Sequence, residues 1–568
     1  MERRQLGEIL VEQGLITEDQ LNEGLHRQVE TGAALGKALE DLEYVTEQQV
    51  LHALSLQAGM EMVDLESIEI PDEVIALVPY STAEVYRIVP ISFDGESIVV
   101  AMADPQNVRA LDDIRFLLGY NVKGAVSNEE DISKALEKYY AGESESIEDL
   151  LGDMDMDEGF VELDDTESID ISDLEQQAYL MPVVKLVNLV LLTAIKDQAS
   201  DIHFEPFESE YKIRYRVDGV LYEITPPPKH LSLAIASRIK VMSRLNISER
   251  RLPQDGRIDL NIGGRAVELR VSTLPTINGE SVVIRVLDRS VIQLDMEQIG
   301  MNDDEINNFR DLINMPHGII LVTGPTGSGK TTTLYAALNE ANTDDIKILT
   351  TEDPVEYEID GIVQISINEA IGLTYAKCLR AILRQDPDKL LVGEIRDLQT
   401  ATIAIEASLT GHIVFSTLHT NDAPSAITRM IDQGSESFLV AATLEAIIAQ
   451  RLVRRICTNC KIQYDATDEN LMELGLRRED VGDVKFSTGK GCDFCHNSGY
   501  KGRTGIFEFM RINDQIREKI IAEASIDETR RAAEKSGMRN LRESGIAKVF
   551  EGVTTIEEIV NITVGDSV

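Results

Sequence analysis

Along the first sixty residues the apolar positions recur with a period of 29. Leu6-Gly7 matches Leu35-Gly36, Leu10 matches Leu39, "TEDQL" (17–21) matches "TEQQV" (46–50), and Gln28 matches Gln57. Thr17 with Gln20 and Thr46 with Gln49 have capping-box spacing at helix starts. Each repeat therefore reads as a short helix, a turn and a second, capped helix. A mixed αβ stretch follows, with strands near "YRIVPISF" and "ESIVVAMA" and helices near "VRALDDIRFLL" and "DISKALEKYY".

The pattern breaks between residues 141 and 178, where fifteen residues are Asp or Glu and none is Lys or Arg. A block of like charge repels itself and buries little, so it reads as a disordered spacer. After it, "MPVVKLVNLVLLTAIKDQASDIHFEP" runs from helix into strand, and "YKIRYRVDGVLYEI" is a hairpin turning at Asp218-Gly219. Strands and turns continue to about Asp288. Alternating strands and helices then occupy residues 296–450.

A membrane span needs about 20 apolar residues. The two best candidates, "VVKLVNLVLLTAI" and "FLVAATLEAIIAQRLV", are interrupted by Lys185 and Asn188, and by Glu445 and Arg451. Both read as buried or amphipathic helices. No signal core stands at the N-terminus, so a cytoplasmic location with no direct membrane insertion is expected.

The 568 residues imply roughly three to four domains. The net charge of −45 disfavours nucleic acid and anionic lipid, both of which are bound through Lys and Arg. Nucleic acid is not expected as a partner.

"GPTGSGKT" (324–331) fits G-x-x-x-x-G-K-[ST] between the strand "HGIILVT" and the helix "TTTLYAALNEA". Gly324, Pro325, Thr326, Gly327, Ser328, Gly329, Lys330, Thr331 and Thr332 are the expected ATP-binding residues. Backbone N–H groups would cradle phosphate, Lys330 would reach the β- and γ-phosphates, and Thr331 would ligate Mg2+. Glu352, Asp353 and Glu356 follow the strand "IKILTT", and Glu394 ends the strand in "DKLLVGEIRD". Ligands of open α/β sheets sit beyond the carboxyl ends of the strands, so these acids point at the P-loop, where they can orient metal or water. In "GHIVFSTLHTNDA", His412 precedes a strand and His419 follows it; His419 is a candidate γ-phosphate sensor.

Four of the five cysteines form "CTNC" (Cys457, Cys460) and "CDFC" (Cys492, Cys495), 31 residues apart. Two such pairs supply four thiolates, the set for a closed, structural Zn2+ site in an inserted subdomain. Arg270, Arg285, Arg380 and Arg384 are candidates for delivery to a γ-phosphate, although spacing alone favours surface ion pairs.

Together "GPTGSGKTTT", "TEDPVEY", "LRQDPDKLLVGEIRD", "GHIVFSTLHTNDA" and the paired cysteines resemble the ATPases of type II secretion and type IV pilus assembly over nearly the whole chain. The resemblance implies a multidomain α/β chain. Its expected parts are an N-terminal module (1–140), an acidic linker (141–178), a PAS-like α+β domain (179–295), a RecA-like ATPase domain (296–454), a tetracysteine zinc subdomain (455–505) and a C-terminal helical part (506–568). It implies Glu394 as the catalytic carboxylate, Glu352 on the metal side, His412 and His419 as a His box, and Arg270, Arg285, Arg380 and Arg384 as functional arginines. It implies a homohexamer docked on an inner-membrane platform protein, driving pilin or pseudopilin assembly. The N-terminal repeat resembles a module that binds cyclic di-GMP in some members. Here Gln5 and Ala34 stand where that module has arginine, and Glu43 replaces its second glycine, so the fold is expected and the ligand is disfavoured. Competing readings are a RecA-like nucleic-acid translocase, a docking protein that binds nucleotide without turnover, and a docking ATPase regulated by cyclic di-GMP. Lys330, Thr331 and Glu394 argue against a protein without turnover.

Overall fold

In a computed structural model, which describes residues 6–31, 34–65, 67–105, 107–140, 180–262, 265–288, 294–482 and 484–563, the 29-residue repeat forms four helices. They are α1 (Leu6–Glu12), α2 (Glu18–Thr31), α3 (Leu35–Asp41) and α4 (Glu47–Ala58). Thr17 and Thr46 receive the expected reciprocal bonds, their backbone N–H groups each donating to the Gln20 or Gln49 side chain at 2.9 Å. The matched Leu10 and Leu39 are both fully buried in the core of this four-helix layer. Gly14 and Glu43, equivalent in the repeat, both take positive φ (69° and 58°), so the second half keeps the turn without the glycine. The acidic segment 141–178 lies outside the described residues.

The chain divides into two units, residues 1–291 and 292–568. In the first, β1 (Glu61–Met62), β2 (Ile88–Phe93), β3 (Ser97–Met102) and β4 (Asn121–Val126) form a sheet in the order β1-β4-β3-β2. A second, antiparallel sheet has the order β7-β6-β5-β10-β9-β8. Its strands are β5 (Asp201–Pro206), β6 (Tyr211–Val217), β7 (Val220–Glu223), β8 (Gln254–Ile262), β9 (Arg265–Thr276) and β10 (Gly279–Asp288). The two sheets share one apolar core. Buried Asn188 and Arg238 also donate to the Leu117 carbonyl, at 2.8 and 3.2 Å, tying the second sheet's helices to the end of helix Val108–Leu118.

In the second unit a seven-stranded sheet has the order β13-β12-β14-β15-β11-β16-β19. It contains β11 (Gly318–Thr323), β12 (Ile348–Glu352), β13 (Val363–Ser366), β14 (Lys389–Val392), β15 (Ile413–Leu418), β16 (Leu444–Ile456) and β19 (Tyr500–Arg511); β17 (Lys461–Tyr464) and β18 (Phe486–Gly489) pair separately. Every neighbouring pair is parallel except β16–β19. The core strands are apolar on both faces, as expected of a parallel sheet covered by helices.

That double burial corrects one expectation. Of "FLVAATLEAIIAQRLV", only the start is helical (Ser437–Thr443); from Leu444 it is β16. A strand buried on both faces has no two-residue alternation, so its run of Ile and Ala looks like a buried helix. A second correction concerns boundaries. The divisions expected at 454/455 and 505/506 fall inside β16 and β19, which pair along most of their length. The cysteine segment is an excursion between two paired strands. No helix among the described residues is long and apolar enough to cross a membrane.

Candidate active site at the P-loop

The loop 324–329 leaves the end of β11 and enters helix Lys330–Ala341 at Gly329, whose φ is 88°. Gly324 has φ 149°, and a Cβ there would stand 2.5 Å from the Gln450 carbonyl oxygen. Only glycine allows this approach of the loop to β16. Lys330 is buried, and its Nζ donates to the carbonyls of Gly324 and Pro325 at 2.9 and 3.0 Å. Burial lowers its pKa, with Glu394 opposing and Arg451 adding to the shift. Ser328 Oγ is buried without a hydrogen-bond partner, and Thr331 and Thr332 are exposed at the mouth. An orphaned hydroxyl, a buried ammonium and a helix N-terminus at one loop suit a phosphate chain.

Glu394 lies just past β14. The residue before it, Gly393, donates to the Thr351 carbonyl at 2.7 Å, and a Cβ on it would meet that oxygen and the Tyr375 hydroxyl at 3.0 Å. A side chain here would press on both neighbours. Glu394 is mostly buried and pairs through one oxygen with Arg396. Its other oxygen lies 3.2 Å from His419 Nε2, beyond the end of β15. An ionised carboxylate only accepts, so the imidazole carries the proton on Nε2. Burial opposes the ionised form, yet Arg396 and His419 outweigh it and hold the Glu394 pKa below the usual carboxylate range.

Glu352 ends β12 and is 4 % exposed. Among the described residues no cation pairs with it. It accepts instead from the hydroxyls of Tyr335 and Thr350 and from Gln364 Nε2 at 3.2 Å. The two acids therefore sit side by side in different settings, one beside cations and one among neutral donors.

The structure does not gather every candidate here. His412 stands at the opposite, N-terminal end of β15, roughly 20 Å from the P-loop end at about 3.3 Å per residue. There it contacts the Ala407 carbonyl at 2.9 Å, closing the end of helix Leu398–Leu409. Within one chain His412 is therefore not at the P-loop end of the strand where His419 stands. Arg380 and Arg384 are exposed around the C-terminal end of helix Tyr375–Ile382, away from Tyr375, which approaches Glu394. Arg270 and Arg285 belong to the first unit, where they are register partners on β9 and β10. Arg270 pairs with Glu268 at 3.1 Å and Arg285 with Asp201 at 3.2 Å.

Residues given no site role in the sequence reading also line the site. Gln450 Oε1 accepts from Thr333 at 2.8 Å, and Arg451 donates to the Asn421 carbonyl at 2.8 Å in the loop after His419. Reading β16 as a helix hid both. Thr323 Oγ1 lies 2.7 Å from Thr420 Oγ1, joining the start of the P-loop to the same loop.

Cys457 and Cys460 follow β16, and Cys492 and Cys495 precede β19. Their four sulphurs lie within 4.8 Å of one another, with pairs at 3.7, 3.8 and 3.9 Å. Tetrahedral thiolates around Zn2+ at about 2.3 Å would be about 3.8 Å apart. The backbone N–H groups of Cys492 and Gly499 both donate to Cys495 Sγ at 3.3 Å, favouring a thiolate. The donor set fits zinc with no place left open for catalysis.

A phosphate loop between a parallel strand and a helix, with carboxylates at the ends of neighbouring strands, defines a P-loop nucleotide hydrolase. The chain belongs to the family "Type II/IV secretion system protein", whose sequence profile matches residues 176–561. The profile of the MshEN domain matches residues 58–146, leaving most of the 29-residue repeat outside it. The chain is 45 % identical to the type IV pilus assembly ATPase PilB of Myxococcus xanthus over 99 % of both chains. It is 42 % identical to the type II secretion system protein E of Xanthomonas campestris over 98 % of both. Among solved structures it is similar to the pilus retraction motor PilT with bound ADP, at 24 % identity and TM-score 0.47, covering 66 % of this chain and 96 % of that one. The chain is an ATP hydrolase.

Proposed function

We propose that this ATPase is the homohexameric motor of an envelope assembly machine, using ATP hydrolysis to add pilin or pseudopilin subunits. The observation that carries the chemistry is the Glu394–His419 pair facing the P-loop. Lys330 binds the β- and γ-phosphates, and Thr331 ligates the Mg2+ that offsets their charge. Glu394 orients the attacking water, with Arg396 and His419 fixing its carboxylate. Water oxygen bonds to the γ-phosphorus as the bond to the bridging oxygen breaks, releasing ADP and phosphate. Glu352 contributes negative charge on the metal side.

The strand order supports a RecA-like ATPase domain, and the antiparallel sheet of the first unit is assigned as PAS-like. Arg270, Arg285, Arg380 and Arg384 are assigned to γ-phosphate charge from another domain or subunit, and His412 to the His box. The four cysteines hold structural Zn2+. The chain acts in the cytoplasm, with the N-terminal module docking on an inner-membrane platform protein. Cyclic di-GMP is left out, because Ala34 and Glu43 replace its expected partners.

The test is a host whose own copy is replaced by Glu394→Gln. Loss of surface pili or of secreted protein, with the mutant still assembling as a hexamer by light scattering, is the expected result. A host that keeps both under the mutant overturns the proposal, and the phenotype lost separates the two machines.

A further inference from the structure

We propose that Tyr335 is a positioning residue for hydrolysis, clamping the Glu352 carboxylate beside the metal side of the site. This rests on the role given to Glu352 above. Thr331 and Tyr335 are four residues apart on helix Lys330–Ala341 and so share a face. Thr331 is at the exposed mouth, and Tyr335 lies one turn deeper, fully buried. Its hydroxyl donates to Glu352 Oε2. The hydroxyl oxygen also lies 3.5 Å from Gln364 Nε2, on β13. One oxygen thus joins the P-loop helix, the end of β12 and β13.

The other Glu352 oxygen is held as firmly. Thr350 Oγ1 donates to it at 2.5 Å and Gln364 Nε2 at 3.2 Å. Gln364 is itself fixed, donating to the Tyr357 carbonyl at 2.9 Å and accepting from the Ile359 N–H at 2.7 Å. Three of the roughly four lone-pair positions of the carboxylate are taken. Glu352 is therefore poorly placed to ligate metal directly or to shuttle a proton. It is well placed as a fixed charge, because its donors are neutral and leave the full negative charge uncancelled. In a buried, low-dielectric setting such a charge acts strongly on a nearby cation. Its direction is set by Tyr335, which moves with the helix carrying Lys330 and Thr331.

The test compares Tyr335→Phe, which removes one hydroxyl, with Thr350→Val, Glu352→Gln and their pairs. Hydrolysis, KM for ATP, binding of a fluorescent non-hydrolysable ATP analogue and thermal unfolding are measured on the hexamer. Tyr335→Phe is expected to lower kcat about tenfold, with KM and analogue affinity changed less than about twofold. Combined with Glu352→Gln it should add little further loss, because both act through one carboxylate. If Tyr335→Phe does not fold, Thr350→Val carries the same expectation for kcat. Should Glu352→Gln lose activity while the folded hydroxyl variants keep wild-type kcat, or should the losses multiply, the clamp is wrong. Should Glu352→Gln itself keep full activity, the role given to Glu352 is wrong.

Discussion

Glu394 Oε2 lies 3.2 Å from His419 Nε2, so two neighbouring parallel strands end in one hydrogen-bonded pair at the P-loop. The second Glu394 oxygen is held by Arg396. The carboxylate is thus fixed in direction by two side chains.

Replacing Glu394 with Gln keeps the shape and removes the charge. Hydrolysis should fall by about 10²–10⁴-fold, the usual contribution of a positioned acid or base. Affinity for a non-hydrolysable ATP analogue should hold, since Lys330 and the loop amides are untouched. Phosphate release and an analogue titration check the two halves. Normal turnover in the mutant would remove Glu394 from the chemistry.

Arg396→Ala should move the acid limb of the pH–rate profile upward. Burial raises the Glu394 pKa, and Arg396 and His419 lower it by more, leaving a net depression. Without the guanidinium, burial meets less opposition, so the carboxylate protonates at higher pH. The same depression is linked to stability. Ionised Glu394 favours the folded chain above its unfolded value of about 4.5, and that contribution is lost as pH falls through the lower folded value. A kcat/KM profile whose acid limb does not move in Arg396→Ala would contradict this assignment.

The purified chain should carry about one zinc, measured by atomic absorption, and Cys457→Ser should lower that content and the melting temperature together. The thiolate site lies between paired strands β16 and β19, so metal binding contributes to folding there. A metal-free variant that melts like the parent would refute a structural zinc.

Glu558→Ala should destabilise the second unit by about 3 kcal/mol, because it strands a largely buried guanidinium. Glu558 is 6 % exposed and accepts from Arg454 Nε at 2.9 Å and from the Arg454 backbone N–H at 3.0 Å. Arg454 also stacks 4.1 Å from the Tyr500 ring centroid. Denaturant unfolding monitored by circular dichroism measures the loss, and Glu558→Gln should lose less because it keeps acceptors.

Much of the nucleotide site could be read in advance because its chemistry is local in the chain. The P-loop needs its glycines, Lys330 and Thr331 within eight positions, and the helix begins inside the motif, at Lys330. Likewise the two cysteine pairs carry their ligand spacing within themselves. Gln450 and Arg451 were hidden for the opposite reason. They reach the P-loop only through the pairing of β16 with β11, and nothing in "IIAQRLV" distinguishes a doubly buried strand from a helix.

The histidines show the same division within a single strand. "GHIVFSTLH" places His412 and His419 at the two ends of one extended segment. Only the parallel register of β14, β15 and β11 decides which end meets the phosphate loop. The sequence by itself determined the P-loop, the helical repeat, the paired cysteines and the strand ending in Gly-Glu, because each depends on spacing along the chain. Tertiary structure decided that Glu394 meets His419 while Glu352 sits among neutral hydroxyl and amide donors. Those partners, His419, Tyr335 and Gln364, come from separate elements, and a carboxylate's behaviour follows what surrounds it in space.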